Sequence, residues 1–457
     1  MKKLMLVLVV CLITAGEVFA EISVGGGMEA AAMVQVIDYV DRDDPEWTPI
    51  GDPIVVSGFG GNNDNRSKLS LTFTADLKDT VGLYAEIALY PWWYDNRQQD
   101  ILNFIDSIEL DMFYGWYRPF EWFKIDVGRF NIDTLRGKVE GFNWGDYLGV
   151  GDGGTDSIFT RFEGRDAIAL EFPGPFGDLV PALKNLYLGA MMYNIIEANS
   201  ANNRGIYGGY TEAKYMLENI QAAVGYDIPN IGSARFQYIG VHPAPNTRKI
   251  ADSDNNDSNN GPRFQAAFAY TGLPGLTAEL GGTLSLLVMD PTVLVPALND
   301  SGEIVYYEPR ITVGNYLEPH RVSLGIQYDF GFDLSLRGGG EFSFGGYSEP
   351  TGSGRTDMAP VTKIYFSPSY KFNDRFSVAG DGGIEIYGDE NYYDRLNKKG
   401  GVKYGFGAYA QWNFVNADCY IRAGISYAGG EGLGVDRSGP SKLDTLITIP
   451  VYFHLGF

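Results

Sequence analysis

Cysteine, histidine and long apolar runs are all scarce in this chain of 457 residues, and each scarcity removes a class of protein. The cysteines are Cys11 and Cys419, and the histidines number three. So few thiols and imidazoles exclude a disulfide scaffold and a Cys/His metal cluster, so no metal or other cofactor is expected. Basic residues are also short, 35 Lys and Arg against 57 Asp and Glu, a net charge of −22. No concentrated basic footprint exists, and nucleic acid is not expected as a partner. Tryptophan and methionine contribute 7 and 10 residues, whereas Tyr, Phe and Gly contribute 30, 27 and 59. Glycine is thus about twice as common as usual. Tyr and Phe favour pleated strands and Gly favours tight turns, so the fold class expected is all-β.

The one apolar run of note opens the chain. Lys2 and Lys3 precede Leu4 to Ile13, and Val18-Phe19-Ala20 then offers a small-residue cleavage site before Glu21. This order of parts reads as a secretory signal peptide over 1–20, removed after Ala20. Val10 stands where a lipoprotein box needs a small residue, so Cys11 is not expected to carry a lipid. Residues 21–457 then hold a net charge of −23 and the single thiol Cys419. No later stretch approaches the roughly 18 apolar residues of a membrane-spanning helix.

What fills 21–457 is alternation. Leu69, Leu71, Phe73, Ala75 and Leu77 are interleaved with Ser70, Thr72, Thr74 and Asp76, and after Lys78-Asp79-Thr80 the pattern resumes with Leu83, Ala85, Ile87 and Leu89 against Tyr84, Glu86 and Tyr90. A period of two places one oily and one polar face on each strand. The same pattern recurs near Phe123, Val322, Leu334, Ile364, Phe376, Tyr404 and Cys419. Each strand runs about ten residues, enough to cross a bilayer at a tilt. Mean hydropathy is only −0.13, because averaging over a period-two pattern cancels the two faces.

Connections sort by length. Short turns follow Leu77, Tyr117, Phe372 and Phe414, whereas long polar stretches fill 40–66, 91–106, 131–165, 241–261, 288–319, 344–360, 388–400 and 429–442. Short turns on one side and long loops on the other mark a transmembrane barrel, and both ends on the short-turn side require an even number of strands. A direct count gives nineteen. Assigning 206–218 to a loop leaves eighteen, with sixteen as the alternative. The acidic tract 252–260 lacks the Gly and late Glu of an EF-hand loop and reads as a solvated loop.

In the last segment, Ile447, Ile449, Val451, Phe453, Leu455 and Phe457 share one face and an aromatic residue ends the chain. This resembles the closing strand of bacterial outer-membrane β-barrels, in which Phe453, Leu455 and Phe457 would form the signal read by the barrel-assembly machinery. The long third loop, 131–165, makes the arrangement resemble trimeric general and sugar-specific porins, whose third loop folds inward to narrow the pore. The resemblance implies a closed antiparallel barrel in outer-membrane lipid that passes small hydrophilic solutes, and a homotrimer.

If the oily face meets lipid, the other lines water and can carry charge. The candidates for the pore lining and its constriction are Glu109, Asp111, Lys124, Asp126, Arg129, Arg321 and Arg337 on strands. Arg161 and Arg165 beside the third loop join them, opposed by its acids Glu140, Asp146 and Asp152. His242, His320 and His454 lie too far apart in sequence to suggest a catalytic constellation, and no enzyme activity is expected. A non-conducting surface adhesin or structural envelope protein is the second reading, carried by the long acidic loops.

Overall fold

The computed structural model describes residues 21–41, 54–59, 68–77, 79–89, 108–132, 162–192, 220–240, 262–286, 293–298, 304–310, 316–317, 319–348, 356–357, 359–388, 402–414, 419–430 and 441–456. The first strands are β1 (Glu21–Asp41), β2 (Ile54–Phe59), β3 (Lys68–Leu77), β4 (Val81–Leu89), β5 (Ile108–Phe120) and β6 (Phe123–Ile132). Next come β7 (Phe162–Pro173), β8 (Leu186–Met192), β9 (Ile220–Ile228), β10 (Gly232–Ile239), β11 (Arg263–Tyr270) and β12 (Leu276–Ser285). Short pieces follow as β13 (Val293–Leu298), β14 (Ile304–Arg310) and β15 (Tyr316–Leu317), before the long β16 (His320–Phe330) and β17 (Leu334–Phe344). After β18 (Tyr347–Ser348) and β19 (Thr356–Asp357) the chain ends with β20 (Val361–Asn373), β21 (Phe376–Tyr387), β22 (Val402–Asn413), β23 (Cys419–Gly430) and β24 (Ser441–Gly456).

Each long strand pairs antiparallel with its neighbours, and β1 closes the sheet on β24 from Gly27↔Gly456 to Asp41↔Ser441. Closure satisfies every ladder and leaves no edge. On its other side β1 meets β2 through Ala32–Ile37 and β3 through Glu21–Glu29. β2 and β3 therefore form one stave interrupted by 60–67, and the nineteen strands of the sheet make an eighteen-stave barrel. The expected number of eighteen holds and sixteen does not. The supernumerary strand is β2, inside the segment 40–66 that the sequence assigns to a loop; residues 206–218 lie outside the described ones. Six residues of β2 were hidden because Asp52-Pro53 and the glycines at 58, 60 and 61 break the periodic signal on either side.

The short turns form where a residue tolerates positive φ or a side chain replaces the missing backbone partner. Asp79, Asn230 and Asp333 have φ of 57°, 62° and 63°, a region open chiefly to Gly, Asn and Asp. At the β20–β21 turn, Asn373 Oδ1 accepts from the amides of Arg375 and Phe376 at 2.9 and 3.0 Å. One expected turn shifts: β5 continues past Tyr117 to Phe120, and Glu121-Trp122 turns the chain.

The two faces separate as the alternation requires. Val34, Leu280, Leu324, Phe366, Phe406 and Ile449 are exposed on the outer wall, whereas Gln35, Glu86, Asp126, Gln237, Glu279 and Thr448 are buried on the inner one. An apolar exterior around a polar interior is the reverse of a soluble protein and fits a bilayer. The fold is a closed antiparallel β-barrel of the transmembrane type.

Candidate functional site

The inner wall carries the chemistry, because a barrel of this strand number encloses a space wider than its own side chains fill. On β6 the period of two aims Lys124, Asp126 and Phe130 inward. Lys124 stands directly opposite Glu171 of β7, and Asp126 opposite Ala169. The Lys124 ammonium lies 2.8 Å from Asp126 Oδ1 and 3.3 Å from Glu171 Oε1. Tyr187 of β8 donates its hydroxyl to Glu171 Oε2 at 2.8 Å. One cation thus holds two carboxylates that are both buried, and hydrogen bonds from Lys124 and Tyr187 complete the shell of Glu171. Next to it on β4, Tyr84 donates to Glu86 at 3.2 Å, and the Tyr84 ring sits 5.4 Å from that of Tyr114, which in turn meets Phe130 edge-on at 5.9 Å. This arc of wall combines a net negative charge with aromatic faces.

Further round, the wall mixes amides with charges. Gln237 donates to Gln265 at 2.7 Å and Gln265 to Thr283 at 3.3 Å, an amide ladder across β10, β11 and β12. Arg235, Arg263 and Glu279 are buried on the same three strands. On β17, β20 and β21, Arg337 lies 3.9 Å from Asp381 and donates to Ser367 at 3.4 Å, while Ser367 donates to Asp381. Lys363 and Glu385 approach to 3.8 Å. Beside the closing seam, the Arg422 guanidinium donates to Gln411 Oε1 at 3.1 and 2.9 Å, with its carbon 4.7 Å from the Tyr409 ring centroid and 5.3 Å from that of Tyr420. Gln35 of β1 donates across the seam to Thr448 of β24 at 3.4 Å.

Of the residues that the sequence nominates, Lys124 and Asp126 come together with Glu171, and Arg337 joins Asp381. Arg321 is exposed on β16, in register with Thr283 and Ser343. Arg129 pairs with Phe113 on the strand side that carries Val127, beside the irregularity between Gly128 and Phe130. Glu109 stands opposite Ala88, and Asp111 falls at a break in register between Leu110 and Met112. Arg165 belongs to β7. Glu140, Asp146, Asp152, Arg161 and Phe457 lie outside the described residues, as do 1–20. The third connection is also shorter than 131–165, since β6 runs to Ile132 and β7 resumes at Phe162. The long connections that would carry an adhesive surface are largely outside the described residues as well.

Sequence reasoning did not single out Tyr187, Gln237, Gln265 or Tyr409. All four follow from the same period of two once a neighbouring inward residue anchors the count. Phe453 and Leu455 share the outer wall with Val451, while Tyr452 and His454 face inward, His454 stacked on Tyr420 at 5.1 Å. His320 accepts from the Ser285 amide at 3.1 Å through Nδ1 and meets Phe344 edge-on. Among the described residues no three or more His, Cys, Asp or Glu gather as a metal site.

No protein-family model and no curated protein matches the chain. Among solved structures it is similar to the outer membrane channel DcaP of Acinetobacter baumannii, at 12% identity, a TM-score of 0.48 and coverage of 96% of this chain and 98% of that one. The outer membrane protein opdK from Pseudomonas aeruginosa gives 10%, 0.47, 95% and 99% in the same order. The anion-selective porin from Comamonas acidovorans gives 10%, 0.46, 96% and 100%.

Proposed function

We propose that the chain is an outer-membrane porin, a water-filled channel for passive diffusion of small hydrophilic solutes. The observation that supports it best is the Lys124, Asp126 and Glu171 cluster on the inner wall of a closed eighteen-stave barrel with an apolar exterior. Charged groups on the wall of a bilayer-spanning barrel are inexpensive when they face water and costly otherwise. Salt-bridged acids on one arc, with Arg235, Arg263 and Arg422 on others, would order water and discriminate solutes by charge and size. Glu109, Asp111, Arg161, Arg165, Arg321 and the loop acids Glu140, Asp146 and Asp152 complete the proposed lining and constriction, whereas Arg129, on the side of β6 that carries Val127, drops out of it.

The reading includes export by residues 1–20 with cleavage after Ala20. An intact mass other than that of 21–457 for the membrane-extracted protein would refute it. Phe453, Leu455 and Phe457 are proposed as the assembly signal and a homotrimer as the assembled form. Proteoliposomes holding the refolded protein should swell in isosmotic small sugars and much more slowly in large ones. Vesicles that stay at constant size in every solute would reject the channel.

A further inference from the structure

Most short turns of the barrel are two to five residues long; the one between β7 and β8 spans 174–185 and is different in kind. It is internally bonded. Gly177 donates to Gly174 at 3.0 Å, Leu179 and Val180 to Phe176 at 3.1 and 2.7 Å, Leu183 to Val180 at 2.8 Å and Lys184 to Pro181 at 3.2 Å, the last around a 3₁₀ turn at Pro181–Leu183. Its side chains are the surprise. Leu179 is 82% exposed, more than any other large apolar residue described, and Phe176 and Val180 are 48% and 45% exposed.

The direction in which the turn leans is set by one bond. Tyr226 of β9 donates its hydroxyl to the Ala182 carbonyl at 2.7 Å. Tyr226 pairs with Leu186 and alternates with the buried, inward Ala223 and Gly225, so it belongs to the outer wall. The 3₁₀ segment is therefore tied to the lipid side of β8 and β9, away from the channel mouth. We infer that this turn is a lipid foot: Phe176, Leu179 and Val180 insert among the acyl chains of the periplasmic leaflet and hold the barrel at a fixed depth. Continuity with the outer wall favours lipid over any other occupant. Locally bonded amides permit the seat, because backbone groups entering a bilayer must already be satisfied. Asp178, exposed between Phe176 and Leu179, and Lys184, exposed beyond Val180, keep the seat shallow, because charged groups stay at the headgroup level. The opposite turn at Asp374-Arg375 is charged and carries no such trio. Insertion at the interface by an apolar patch of this kind reaches roughly 5–10 Å below the headgroups.

The inference rests on the membrane reading but has its own readout. Leu179→Cys and Asp374→Cys are made singly in a Cys419→Ser background, refolded into phospholipid vesicles and labelled with a nitroxide. Power saturation by oxygen and by a water-soluble nickel chelate then reports depth. At 179 a several-fold higher oxygen-to-nickel ratio than at 374 is expected. Equal nickel access at both sites overturns the foot, as does a label at 179 shielded from both relaxants, which would mean that protein covers it. Either failure in vesicles that still swell leaves the channel reading intact. If the cysteine variant does not refold, Leu179→Trp and quenching by brominated acyl chains give the same distinction, with no added quenching over the parent protein as the contradicting result.

Discussion

Lys124 decides whether the most heavily charged arc of the inner wall is stable. Its ammonium is the only cation within reach of Asp126 and Glu171 among the described ion pairs, and the Asp126 side chain is 1% exposed. Lys124→Met would leave two buried carboxylates facing each other. Breaking a fully buried pair costs about 3–5 kcal/mol. Lys124 is about a quarter exposed, so about 2 kcal/mol is expected, read from urea unfolding in lipid vesicles. The same substitution should raise the preference of the proposed channel for cations, read as a shifted reversal potential in a salt gradient. Tyr187→Phe removes one donor from Glu171 and should cost about 1 kcal/mol by the same unfolding measurement. A variant as stable as the parent in both cases would show that water, not these partners, carries the carboxylates.

At the scale of elements, the conspicuous backbone feature of β6 is Gly128. Its φ is +130°, and a Cβ there would lie 2.3 Å from the Phe113 carbonyl oxygen. Backbone atoms of the neighbouring strand cannot yield, so Gly128→Ala should abolish refolding, read as loss of the compact band on unheated gels. The β20–β21 turn supplies a pH dependence. The Lys371 ammonium, 2.8 Å from Asp374, holds that carboxyl below its ordinary value. A lowered value means that the stabilisation is present above the ordinary carboxylate range and is lost as pH falls through the lowered value. Asp374→Asn should therefore flatten only the acid limb of the unfolding curve. The turn is fully exposed, so high salt should erase the difference.

Elements with strict alternation were legible from residues alone. β3, β4, β16, β17, β20 to β24 and the terminal face through Leu455 stand where the period of two puts them. What escaped the pattern did so for physical reasons. Six residues of β2 are too few to outweigh the Gly- and Asp-rich chain around them. The bulge at Gly128 shifts β6 against β7, so Arg129 cannot be assigned a partner by counting. Lys124 and Asp126 could be named as inward, but their union with Glu171 and Tyr187 depends on the register between strands 40 and more residues apart.

The whole molecule rests on one assignment, oily side to lipid and polar side to water. Neighbouring residues of β16 test it. Leu324 is 46% exposed on the outer wall, and Leu324→Arg should cost about 2–4 kcal/mol in vesicles. Ser323→Arg, one residue away and inward, should leave stability nearly unchanged and lower conductance instead. Closure of β1 on β24 encloses the polar inner wall, and the proposed channel requires that interior to conduct from end to end. Single-channel recording across a planar bilayer tests that conduit most directly. Refolded, heat-modifiable protein should give discrete upward current steps of uniform size in salt solution. A protein that inserts, migrates as a folded barrel and yet never produces a step would contradict the channel.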